Sequence, residues 1–223
     1  MNQCCKKRLW LIITVIISCV VMAFIETIIE PTYFLKSVLK MLFFLFVPIL
    51  VIKLQKEKVF ADSFSLHKKS ILQLLGLGLA IYGIIMGAFF LTKEIFDYST
   101  LVNSLSTDQK VSHTHFIWVA LYISFGNSLL EEFLFRFVAF LHLSKYTTKK
   151  AVYFFSSCLF ALYHIAMIGS SFPVPLLLLA LVGLAVGGAI FNYVDEKGRT
   201  IYYSWIIHMF ADFAIMTIWY LHI

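Results

Sequence analysis

Three ionisable residues, Glu131, Glu132 and Arg136, stand inside an otherwise apolar stretch from Phe116 to Phe140. Two further apolar segments carry His164 and the pair His208 and Asp212. Carboxylates and imidazoles can move protons near neutral pH, activate a water or ligate a metal. Charge at membrane depth costs several kcal/mol unless it is paired or lines a wet cavity, so these residues are functional candidates by default.

Spacing assigns them parts. Successive helix positions turn by about 100°, so Glu131 and Glu132 address different neighbours. Glu132 precedes Arg136 by four residues, the favourable order for an ion pair along a helix, which makes the two a mutually neutralised brace. Glu131 has Phe135 at that spacing and Asn127 and Ser128 behind it, which leaves its carboxylate free to act as a base, with Asn127 in support. Phe160 and His164 share a helix face. Ser204, His208 and Asp212 form a polar stripe on another helix, where Asp212 can orient His208 or stabilise its charge. At ~1.5 Å per residue, Glu131, His164 and His208 lie roughly 15, 20 and 10 Å from the cytoplasmic ends of their segments, a depth they can share.

The elements that must position these groups follow from composition. Of 223 residues, 61% are hydrophobic and 13% charged, too little charge for the surface of a soluble domain. A span needs roughly 20 apolar residues. The expected fold is an all-α, polytopic transmembrane bundle of about seven spans, near 9–29, 38–54, 71–92, 116–141, 151–169, 173–193 and 201–221. Lys40 and Pro48 interrupt the second, the weakest of the seven. The first has no small-residue cleavage site after it and is kept as a span. Residues 1–114 then hold three spans and 115–223 four, in one integrated bundle whose chemistry belongs to the second half.

The net charge of +6 follows membrane topology and gives no reason to invoke nucleic acid. Lys6, Lys7 and Arg8, then Lys53, Lys56, Lys58, Lys68 and Lys69, then Lys145, Lys149 and Lys150, then Lys197 and Arg199, fall before the first span or in alternate loops. The other loops hold only Lys36, Lys40, Lys93 and Lys110. The positive-inside rule puts the N-terminus in the cytoplasm and, after seven spans, the C-terminus outside. Cys4, Cys5, Cys19 and Cys158 have no zinc-like spacing and suggest no disulfide framework; Cys4 and Cys5 beside the first basic cluster are read as free thiols in preference to acylation sites. Gly83 with Gly87, and Gly183 with Gly187, have the spacing that lets helices approach closely in lipid.

The series Glu131-Glu132-x-x-x-Arg136, Phe160-x-x-x-His164 and His208-x-x-x-Asp212, in that order on separate membrane helices, resembles the CPBP family of intramembrane proteases. This is also called the CAAX protease and bacteriocin-processing family, and it includes the Rce1-type endopeptidases. The likeness covers about residues 115–221. It implies a cell-membrane endopeptidase that cleaves a membrane-associated peptide or protein with a water activated by Glu131 and His164. His208 and the residue at 212 would then bind the scissile carbonyl or its oxyanion.

Many members of that family carry Asn where this sequence has Asp212, and an ionised Asp cannot donate to an oxyanion. Asp212 is then protonated, an orienter of His208, or a metal ligand. The family has been described both as metalloproteases and as metal-independent glutamate proteases. Glu131, His164, His208 and Asp212 suit zinc in number and type but lack the local spacing of familiar zinc sites, so zinc stays open and no cofactor is certain. The short chain looks more like the bacterial branch of that family, and by that analogy the substrates would be peptide pheromones, bacteriocin precursors or membrane-protein segments, with prenylated C-terminal tails also open.

There is no H-E-x-x-H, G-x-G-D or G-x-S-G pattern to favour another protease class. The competing reading is a non-catalytic immunity or regulatory membrane protein on the same scaffold. A small transporter using Glu131 and Arg136 as a relay lacks the expected broken helices and repeats.

Overall fold

The computed structural model describes residues 3–57, 64, 71–96, 116–169 and 172–221. Lys58, Lys68, Lys69 and Lys110, and most of the two long connections near 55–70 and 93–115, lie outside them.

Among the described residues the secondary structure is helical, with no strand. The helices are α1 (Gln3–Ile29), α2 (Tyr33–Leu54), α3 (Ile71–Thr92), α4 (116–142), α5 (Lys149–Ile168), α6 (Val174–Gly198) and α7 (Tyr202–Tyr220). Of these, α1, α2, α3, α5 and α6 are long and apolar enough to cross a membrane. The protein is a multi-pass integral membrane protein, and the lipid bilayer is its solvent over those helices. Large apolar side chains such as Phe34, Leu72, Leu91 and Phe154 cover its outer surface, where hydrocarbon accepts them at no cost.

The two helices outside that set, α4 and α7, carry Glu131, Glu132, Arg136, His208 and Asp212. Every residue from Glu131 to Phe140 is buried, so the second half of α4 is the axis of the bundle. It is packed by α1, α2, α5, α6 and α7. Its hydrogen bonding widens to the i→i+5 pattern at Tyr122–Asn127 and again over Phe133–His142. Such turns are rare and concentrate at functional sites.

Pro48 does not end the second span. It lacks an N–H, and the helix absorbs this by a widened turn at Leu42–Phe46, where the Val47 N–H reaches Leu42 O. The helix therefore begins at Tyr33 and carries Lys40 into the bundle. Lys40 is a buried side chain, not the loop cation expected from the charge count.

The expected glycine pairs are also corrected. A Cβ at Gly83, Gly87, Gly183 or Gly187 would meet no atom within 4 Å. Close approach uses other glycines. A Cβ at Gly78 would stand 2.3 Å from the Phe210 ring, and one at Gly188 would stand 3.1 Å from Ser157 Cα. These positions draw α3 onto α7 and α6 onto α5.

Asp195, buried near the end of α6, ties that helix to the start of α7. Its Oδ1 accepts from the Ser204 backbone N–H at 2.8 Å and its Oδ2 from the Ser204 hydroxyl at 2.7 Å. This satisfies an otherwise orphaned donor of the first turn of α7 from a distant residue.

Candidate active site

Glu131, from α4, is the centre of the site, and its side chain is only 1% exposed. Its two oxygens have different surroundings. Oε1 accepts from Lys40 Nζ of α2 at 2.7 Å and from Asn127 Nδ2, one turn earlier on α4, at 3.0 Å. Oε2 has no hydrogen-bond partner among the described residues. It faces His164 Nε2 of α5 at 3.8 Å and His208 Nε2 of α7 at 3.9 Å. Those gaps are too long for direct hydrogen bonds and short enough for one water to bridge.

The histidine tautomers follow from their other nitrogens. His164 lies where the regular helix of α5 breaks after Tyr163, and its Nδ1 donates to Phe160 O at 2.7 Å. His208 Nδ1 donates to Glu132 Oε1 at 2.7 Å. Each ring therefore turns Nε2 to Glu131. Asp212 Oδ1 stands 3.7 Å from His208 Nε2, and Asp212 Oδ2 is buried without a partner among the described residues. His164 and Asp212 keep side-chain exposures of 14% and 17%, against 1% for Glu131, so they form the open rim.

Glu132 does more than pair with Arg136. Its Oε2 lies 3.2 Å from Arg136 Nε while its Oε1 fixes the His208 ring. Orientation of His208, expected from Asp212, falls first to Glu132. The fully buried Arg136 guanidinium lies 4.4 Å from the centre of the Phe160 ring and 5.1 Å from that of Phe191. Phe160 also meets His164 edge-on at 4.6 Å between ring centres. Phe160 and Asn127 therefore both lie against charged groups, Phe160 beside Arg136 and Asn127 on Glu131. Ser204, expected on a stripe with His208, is engaged by Asp195 instead.

Sequence reasoning missed Lys40 and Asp195. Lys40 had a usable signal, a cation inside an apolar segment, by the same rule that marks Glu131. Asp195 had none, because it sits where the apolar run ends.

Zinc holds nitrogen and oxygen ligands at about 2.0–2.2 Å, which sets tetrahedral neighbours roughly 3.3 Å apart. The donors here are 3.7 to 3.9 Å apart, and an ammonium already lies 2.7 Å from Glu131. Among the described residues no group of three or more His, Cys, Asp or Glu is arranged to hold a metal ion. As folded, the donor set does not fit zinc.

Residues 113–214, which include all of these α4, α5 and α7 groups, match the family profile described as type II CAAX prenyl endopeptidase Rce1-like. Over these residues, somewhat under half of its length, the chain is similar to that family. Rce1-like proteins are intramembrane endopeptidases at the family level, and the matched segment runs from just before α4 into α7. No curated protein matched the chain, and no solved structure did. Lys40 lies outside the Rce1-like segment, although it touches the central glutamate.

Proposed function

We propose that this chain hydrolyses a peptide bond in a membrane-associated peptide or protein, with a water held between Glu131 Oε2 and His164 Nε2 as nucleophile. The observation that carries this is the unpartnered, buried Glu131 Oε2 facing two imidazole nitrogens at water-bridging distance. Both Oε2 and His164 Nε2 are acceptors, so one water can donate to each and keep a lone pair for the scissile carbonyl.

In the attack, the water oxygen bonds to the carbonyl carbon while its proton passes to Glu131. The carbonyl π electrons move to oxygen, and the C–N bond breaks when that proton reaches the leaving nitrogen. With carboxylates near both ring nitrogens, His208 is the imidazolium in this scheme, and its Nε2–H meets the oxyanion. Asp212 then acts on His208 and need not itself donate. Charges balance in this state, with Lys40, Arg136 and His208 against Glu131, Glu132 and Asp212. The reading routes no step through a metal. The substrate reaches the site by the rim at His164 and Asp212, and peptide precursors and prenylated tails are the two classes to compare.

The test uses the purified protein in lipid nanodiscs and a mixture of synthetic peptides, with and without a farnesylated cysteine, read by mass spectrometry. Glu131→Gln and His164→Ala are expected to abolish cleavage while the protein stays folded and inserted. Full activity in both variants sinks the reading.

A further inference from the structure

We propose that Lys40 is a positioning residue for this hydrolysis: α2 lends its ammonium to Glu131, holding the carboxylate plane so that one oxygen faces the histidines and keeping that carboxylate charged. The proposal rests on the reading of Glu131 as the base. It adds a group from outside the Rce1-like segment, residues 113–214.

A carboxylate as enclosed as Glu131 needs a compensating charge, because an isolated buried ion neutralises itself by changing its protonation. Arg136 is taken by Glu132, and the imidazoles stand beyond hydrogen-bond distance. Among the described residues, Lys40 is the cation in direct contact.

Lys40 is itself caged. Its side chain is 3% exposed, and its ammonium lies 5.2 Å from the centres of both the Phe44 and Tyr163 rings, within range of cation–π attraction. The Tyr163 hydroxyl is anchored in turn to Glu26 of α1 at 3.0 Å. Lys40 thus cannot swing to solvent, and with Asn127 it occupies Glu131 Oε1. Rotating the carboxylate plane out of this orientation would break both contacts, so one oxygen stays turned towards the histidines and is left for water. When Oε2 takes the water's proton the ion pair weakens, so Lys40 also sets how tightly that proton is held.

The test pairs a spectrum with a rate. Wild type and Lys40→Met are placed in nanodiscs at neutral pH, and infrared difference spectra are searched for a protonated-carboxyl band that Glu131→Gln removes. Lys40→Met is expected to gain that band and to cleave the peptide mixture about a hundredfold more slowly, the size of a lost general base, with KM little changed. Lys40→Arg, which keeps the charge, is expected to lack the band and to recover part of the rate. Absence of the band in Lys40→Met, or an unchanged rate, overturns the proposal.

If Lys40→Met does not insert, the double variant Lys40→Met/Glu131→Gln decides. Recovery of insertion ties Lys40 to the charge of Glu131, whereas continued failure shows that Lys40 serves the fold separately and the proposal falls. If wild type cleaves none of the peptides, the hydrolase reading has failed, and the spectrum alone judges the coupling of Lys40 to Glu131.

Discussion

His208 donates from Nδ1 to Glu132 at 2.7 Å across the contact between α7 and α4, so its other nitrogen is the one presented to Glu131. The two adjacent glutamates of α4 thus act on the two nitrogens of a single imidazole. Helical rotation separates their directions, and insertion of one ring between them brings their effects back to the same place.

Glu132→Gln is therefore expected to slow cleavage without removing any group from the water site. An amide can offer Nδ1 its oxygen but no charge, and a hydrogen bond to a charged group is worth about 1.5–3 kcal/mol, so a loss of roughly 10- to 100-fold in rate is expected. Steady-state rates on the peptide mixture, with nitrogen NMR of labelled histidine to read the protonation of the two His208 ring nitrogens, check this. An unchanged rate would return the orientation of His208 to Asp212.

Arg136 gives a stability prediction. Its guanidinium is fully buried, and its compensation comes from Glu132 and from the faces of Phe160 and Phe191. Arg136→Met leaves Glu132 without its cation, and breaking one side of a buried pair typically costs about 3–5 kcal/mol. Unfolding of the detergent-solubilised protein should shift by that amount. Replacing Glu132 and Arg136 together with apolar residues should cost less than Arg136→Met alone, although His208 then loses its orienter.

The helical bundle and the meeting of Glu131, His164 and His208 were legible because each side chain is polar within an apolar run and helix geometry fixes its depth. The partner of Lys40 was not legible, since 91 residues separate it from Glu131 and a cation near a span end is equally well explained by topology. Asp195 was hidden for a related reason, as a carboxylate at the end of an apolar run normally faces water. The glycines misled because four-residue spacing shows that a close approach is allowed, while the neighbouring helix decides whether it occurs. Here α7 lies against Gly78, and Gly83 and Gly87 face open space.

That difference is measurable. Gly78→Val places a branched side chain where the Phe210 ring already lies and should destabilise the α3–α7 contact by about 1–3 kcal/mol, the usual cost of overpacking. Gly87→Val has room for its side chain and should be near neutral. Thermal unfolding of the two variants in the same detergent provides the comparison, and equal losses would show that the two helices do not meet at Gly78.

Acid sensitivity is expected at the end of the bundle where α1 begins and α2 ends. Hydrogen bonds from Lys7 and Tyr146 hold the Glu57 carboxyl below its ordinary value of 4.5. A lowered carboxyl pKa means that the folded state binds its proton less readily than the unfolded chain does. The stabilisation is then complete above about pH 4.5 and fades as the pH falls through the lower, folded value. Glu57 is partly exposed, so solvent screening keeps the effect modest. Glu57→Gln should lower the unfolding temperature slightly at neutral pH and leave it close to that of wild type in acid. Unfolding curves for the two proteins from neutral pH to below 4.5 check this, and a constant difference at every pH would show that Glu57 contributes packing and not charge.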